Sequence, residues 1–163
     1  MSFKNLRDFI ALLEERDQLI RVAANVSADL EITEIVDRTV RAGGPAILFE
    51  NVNEHDMPVA INLFGTDRRV AWALGVDDVE EIADRVRKLL AVVQKPPGGL
   101  VDKIRTAGDL LGLAKSRPKA VGSGPCQEVV AMGDDVDLAS MPVLRCWPDD
   151  GGRFITLPLV VSR

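Results

Sequence analysis

The residues that could carry chemistry are few. His55 is the sole histidine, flanked by Glu54 and Asp56 in the turn NVNEHDMP. An imidazole between two carboxylates suits a metal by residue type, but adjacent residues seldom converge on one ion, and a solvated turn is the plainer reading. The segment GTDRR at 65–69 offers anion chemistry, since N–H groups at a helix start attract phosphate and Arg68 and Arg69 add charge. Its plainer reading is a helix start at the surface. Glu31, Glu34 and Asp37 recur at three-residue spacing. Paired carboxylates can transfer protons, but an Ile/Val stripe on the same helix must face the core and leaves them to water. Gly122-Ser123-Gly124-Pro125 has the look of a phosphate loop without the Lys-Ser/Thr pair or a following helix, and reads as a turn. Asp134-Asp135 and Asp149-Asp150-Gly151-Gly152 also fit turns, where Asp caps its own backbone. Cys146 has no neighbouring base to favour its thiolate. Cys126 and Cys146 lack metal-like pairing; they could form one disulfide, but buried or partly buried free thiols of a cytoplasmic protein are the plainer reading.

These residues must be positioned by elements the hydrophobic pattern predicts. Ser2 can cap a helix bearing Leu6, Phe9, Ile10 and Leu13 at helical spacing. Leu19–Val22 reads as a strand. Ser27 or Asp29 can cap a second helix whose stripe is Ile32, Ile35, Val36 and Val40, stopped by Gly43-Gly44-Pro45. Ala46–Phe49 is continuous and apolar, as a strand covered on both faces would be, and Val59–Phe64 repeats that character. Gly65-Thr66-Asp67 opens a third helix with Val70, Ala73 and Leu74 predicted inward and Gly75 ending it. Asp77 or Asp78 is expected to cap the longest helix, with the stripe Val79, Ile82, Val86, Leu89, Leu90 and Val93, acidic residues early and basic residues late. Weaker helices are expected around Ile104 and Leu110–Leu113, after the break at Lys95–Gly99. From Ala120 the signals are strand and turn, closing on the apolar run Phe154–Val161.

The expected architecture is α+β: an α/β layered N-terminal domain over 1–95, a linker with short helices over 96–118, and over 119–163 the first strands of a mostly β domain. That β domain would be incomplete, because a few strands without partners rarely hold together. The 163 residues carry a formal charge of −5, 47% hydrophobic residues and 4% aromatics. The charge disfavours nucleic acid and anionic lipid as nonspecific partners. No apolar stretch approaches the ~20 residues that span a bilayer, and the N-terminus lacks the form of a signal peptide.

In order and spacing, LRDFIALLEERDQLIRV, LEITEIVDRTVRAGGPAILFENV, NLFGTDRRVAWALG, GDDVDLASMPVL and CWPDDGGRFIT resemble the N-terminal third of the UbiD family of decarboxylases. The branch most resembled is 4-hydroxy-3-polyprenylbenzoate decarboxylase of ubiquinone biosynthesis. The resemblance covers nearly the whole chain, except around Pro96 to Arg117. It implies a non-oxidative decarboxylase of aromatic or unsaturated acids that uses prenylated FMN, with a divalent metal (typically manganese) and a monovalent cation at the cofactor phosphate. It further implies a split β-barrel that binds the flavin, a homo-oligomer, a flavin prenyltransferase that supplies the cofactor, and proximity to a membrane through a prenylated substrate.

Phe154–Val161 would be the first long barrel strand. The family's metal-binding Asn and flavin-contacting Arg lie on the following strand, and its metal-binding Glu and catalytic acids lie later still. No catalytic, cofactor-binding or metal-binding residue is therefore carried onto residues 1–163, and the chain alone is expected to be inactive. The alternative is a non-catalytic α+β module that binds a small anion or a protein partner, with GTDRR as its anion site. A further possibility is docking of a separately encoded remainder onto the edge of the final strand.

Overall fold

The computed structural model of the chain describes residues 3–94 and 120–155. Seven regular elements follow one another: α1 (Leu6–Glu15), β1 (Leu19–Val26), α2 (Glu31–Arg41), β2 (Ala46–Val52), β3 (Val59–Ile61), α3 (Asp67–Ala73) and α4 (Glu80–Gln94). Short 3-10 turns cover Pro125–Gln127, Gly133–Asp135 and Leu138–Ser140. The chain forms two compact units, one made of Met1–Val79 with Asp137–Arg163, the other of Glu80–Val136.

In the first unit three strands pair in the order β1-β2-β3, β1 parallel to β2 and β2 antiparallel to β3. Alternation along β2 explains its unbroken apolar run, because successive side chains leave opposite faces of a strand. Ile47 and Phe49 join Val26, Ala28, Ile32 and Val52 in one core, while Ala46 and Leu48 join Phe9, Leu13 and Leu19 in another. Helix α2 covers the first face through Ile32, Ile35 and Val36; α1 and the Trp72-Ala73 edge of α3 cover the second. The strand is buried on both sides, as its composition predicts. Between Val22 and Asn25 the register slips, and the Asn51 amide donates to Ala23 O at 2.7 Å across the irregularity.

The helix ends are written locally. Asn5, rather than Ser2, caps α1 by accepting from Asp8 N–H at 3.1 Å; Ser2 lies outside the described residues. Helices α1, α2 and α3 close with one hydrogen-bond pattern: Gln18 N to Leu13 O, Gly44 N to Thr39 O and Val76 N to Ala71 O. That pattern places a left-handed residue just past the helix. Gly43 (φ 66°) adopts it without strain, as its sequence position predicts, and Asp17 (φ 53°) adopts it after α1.

Several expectations need correction. Neither Ser27 nor Asp29 caps α2. Leu30 occupies the cap position with no side-chain bond, because Ser27 Oγ is used by Asp29 N–H and the Glu31 carboxylate turns back to Ser27 N–H at 2.7 Å. Val40 and Leu74 are about half exposed rather than inward, each falling at the end of its helix beyond the covered face. The strand after the Asn53–Pro58 turn stops at Ile61, where Asn62 takes φ 60°.

In the second unit, α4 carries its basic residues mid-helix rather than late, and Arg87 pairs with Glu80 and Asp84 while Arg85 pairs with Glu81. Val86 and Leu90 on its apolar stripe are about half exposed. Between Cys126 and Leu138, where strand and turn signals mix, the turns form, among them the one expected at Asp134-Asp135, but the described residues there include no strand, and Val129 is 90% exposed. Among the described residues its apolar side chains have no sheet partner, so no ladder forms. The helices expected within 100–118 and the run from Thr156 onward lie outside the described residues.

Candidate functional site

The anion site suggested by GTDRR does not form. Thr66 opens α3 with its hydroxyl accepting from Arg69 N–H at 3.3 Å, but the two arginines part company. Arg69 turns inward and is 1% exposed. Its Nη1 donates to Gly44 O at 3.2 Å and to Gln18 Oε1 at 3.5 Å, while Nε and Nη2 have no partner. Burial pushes its pKa down, with no acidic neighbour to offset the desolvation. Asn62 reinforces the same junction, donating to Gly44 O and Pro45 O. Gly65 is required there by close approach: a Cβ would sit 1.7 Å from Asn62 Oδ1 and 2.8 Å from Arg69 Nη2. Arg69 is thus a pin holding the α2–β2 turn to α3, closed to any solvent anion.

Arg68 stays outside and lies over the Trp72 ring at 4.6 Å, and Arg16 lies over the same ring at 4.2 Å. Cation–π attraction accounts for both placements. A small cavity of about 110 Å³ beside them is lined by Leu12, Arg16, Trp72, Gly75, Val76 and Asp77.

The remaining predicted residues take structural roles. Glu31 caps Ser27, Glu34 pairs with Arg38, and Asp37 pairs with Arg41, so the acidic row on α2 is spent on its own helix. Asp150 accepts from Cys146 and Trp147 N–H, as a turn-forming Asp does. Cys146 is a half-buried free thiol. Gly122–Pro125 leads into a 3-10 turn in which Gly124 N–H reaches Gln127 Oε1. Asp134 and Asp135 lie in the 3-10 turn after Met132.

What the sequence reading missed is where His55 goes. It is half-buried rather than a free turn residue. Its Nδ1 lies 3.3 Å from Ser140 O, and its Nε2 lies 3.5 Å from Arg153 Nη1. A carbonyl only accepts and a guanidinium only donates, so the two contacts suit the tautomer with a donor at Nδ1 and an acceptor at Nε2. Arg153 Nη1 also points to Val143 O at 3.4 Å. Among the described residues no carboxylate lies within ion-pair distance of Arg153.

These two side chains line a cleft of about 670 Å³ together with Glu54, Met141, Val143, Phe154 and Ile155. The arrangement can hold a molecule with an apolar body and an anionic end, since the arginine supplies the charge and the walls the contact area. His55 lies between the Ser140 carbonyl and the Arg153 guanidinium. Nothing local announces this pairing: residues 55 and 153 lie far apart in sequence, and no periodicity links them.

Two family sequence models match the chain. That of the 3-octaprenyl-4-hydroxybenzoate carboxy-lyase N-terminal domain matches residues 10–89, and that of the Rift-related domain of the same carboxy-lyase matches residues 119–163. Among solved structures, the chain is similar to the UbiD-class enzyme HmfF from Pelotomaculum thermopropionicum in complex with FMN. The two are 25% identical with a TM-score of 0.64, over 91% of this chain and 28% of that one. It shares its fold with the vanillic acid decarboxylase of Sedimentibacter hydroxybenzoicus in closed form, at 24% identity and a TM-score of 0.66, over 94% of this chain and 29% of that one. An evolved dimeric form of HmfF in complex with prFMN gives 23% identity and a TM-score of 0.64, over 93% of this chain and 30% of that one. The chain therefore spans less than a third of the length of the enzymes it matches.

Proposed function

Because the chain belongs to the UbiD family of carboxy-lyases, we propose that it forms the N-terminal part of a decarboxylase that uses prenylated FMN to release carbon dioxide from an aromatic or unsaturated acid. The observation that carries this reading is the succession of two matches, N-terminal domain then Rift-related domain, in one order along one chain. The HmfF structures, which hold FMN or prFMN, support the choice of cofactor. The substrate we propose is 4-hydroxy-3-polyprenylbenzoate of ubiquinone biosynthesis, with a flavin prenyltransferase as cofactor source, a homo-oligomeric assembly and a cytoplasmic setting. No helix among the described residues is long and apolar enough to cross a membrane.

The proposal gives residues 1–163 a supporting part rather than a catalytic one. Among the described residues no three His, Cys, Asp or Glu side chains are grouped so as to hold a metal ion. In this reading the manganese and the monovalent cation at the cofactor phosphate are held by other residues of the longer protein. The cofactor is likewise held by the split barrel of the longer protein rather than by the described residues.

The test is turnover. The longer protein that contains these residues, co-expressed with a flavin prenyltransferase, is expected to release carbon dioxide from 4-hydroxy-3-polyprenylbenzoate. Failure on that acid with turnover of vanillic acid would move the substrate but keep the class. Failure on every aromatic and unsaturated acid, with prenylated FMN bound, would overturn the reading.

A further inference from the structure

The turn between β1 and α2 carries strain that no glycine relieves. Leu30 has φ 65° and ψ −37°, and Glu31 N–H donates to Asp29 O at 2.8 Å, so Leu30 centres a γ-turn of positive φ. That geometry is rare for a residue with a Cβ and persists only where the surroundings over-determine it. Here the support arrives from far along the chain. Leu30 N–H donates to Arg145 O and Arg145 N–H donates to Ala28 O, both at 3.0 Å, so one residue grips the turn from both sides. Leu144 packs into the core beside Ala28 and Ile32. The Arg145 guanidinium then reaches two ways, with Nη1 3.6 Å from Asp29 Oδ1 and Nη2 donating to Pro148 O.

Pro148 belongs to the loop that Asp150 closes from within, and that loop leads directly to Arg153 at the cleft. We propose that Arg145 is a positioning residue: it clips the 146–152 loop to the β1–α2 turn and thereby sets Arg153 against His55. The strained turn is the socket for this clip. It presents the Ala28 carbonyl and the Leu30 N–H to a single incoming residue. The proposal goes beyond the decarboxylase reading and stands independently of it.

His55 is the sole histidine, so its imidazole is a single, unambiguous NMR reporter in the 163-residue chain. In R145A the imidazole signals should move to the positions they take in R153A. The Leu30 and Arg145 amides should exchange about tenfold faster, the scale of losing one hydrogen bond's support, while β2 amides keep their protection. R145M preserves the stem and its packing, and carries the same expectation should R145A fail to fold. R145K, which keeps a cation beside Asp29, should fall between R145M and the parent chain. Unchanged His55 signals in R145M, or signals that move only together with loss of β2 protection, would overturn the proposal.

Discussion

Two arginines in the first unit face opposite fates. Arg69, beside a helix start, is sealed into the junction of the α2–β2 turn and α3; Arg153, after a Gly-Gly turn, stands at the mouth of a cleft. The first donates to Gly44 O and Gln18 at 3.2 and 3.5 Å and leaves two nitrogens unpaired in a buried setting, whereas the second reaches a histidine and a carbonyl at 3.4–3.5 Å from an exposed position. A basic residue in a promising motif is therefore no guide to ligand binding until its direction is known. Desolvation makes a buried cation a structural part, while exposure leaves it available.

Substitutions can break this comparison. Arg69→Ala should have the largest effect, a loss of about 2–4 kcal/mol, because truncating a fully buried long side chain leaves a void and leaves Gly44 O with Asn62 as its remaining donor. Gly65→Ala follows at about 1–3 kcal/mol, since the new Cβ must displace Asn62 from its two carbonyl partners. Arg69→Met should cost under about 1 kcal/mol, because an apolar chain of similar length fills the space without the unpaired donors. Denaturant midpoints check all three, and an Arg69→Met cost equal to that of Arg69→Ala would show that the charge itself is needed. Arg153→Ala should change stability by less than about 0.5 kcal/mol while shifting the His55 imidazole signals.

The smallest effect lies at Glu14. Its hydrogen bond to Arg21, 2.6 Å long, holds its carboxyl below the ordinary value of 4.5. A depressed pKa contributes stability that is present above the ordinary value and is lost as pH falls through the folded one. Glu14→Gln should therefore narrow the stability difference between neutral pH and the acid side of the glutamate range, slightly because the pair is exposed.

Much of the N-terminal layer was legible because its signals are local. The Gly43-Gly44 stop, the Thr66 start, and the two-sided burial of Ala46–Phe49 follow from conformational freedom, capping and alternation. The direction of Arg69 was also readable in retrospect: it is three and four residues before Trp72 and Ala73, which face the core, so it shares their side of the helix. The α2 start was not, because its cap is replaced by a γ-turn whose partner is Arg145. The cleft escaped for the same reason. His55 meets Ser140 and Arg153 only through tertiary return of the chain, and composition near position 55 predicts nothing but a polar turn. Strand signals between Cys126 and Leu138 misled because apolar residues without a partner ladder specify no sheet.

The central claim is that residues 1–163 support a flavin-dependent decarboxylase without holding its cofactor. Equilibrium dialysis of the 163-residue chain against prenylated FMN and manganese tests it most directly, with the longer protein as reference. The account predicts flavin absorbance retained by the longer protein and none retained by the 163-residue chain; stoichiometric, saturable retention by the 163-residue chain would contradict it.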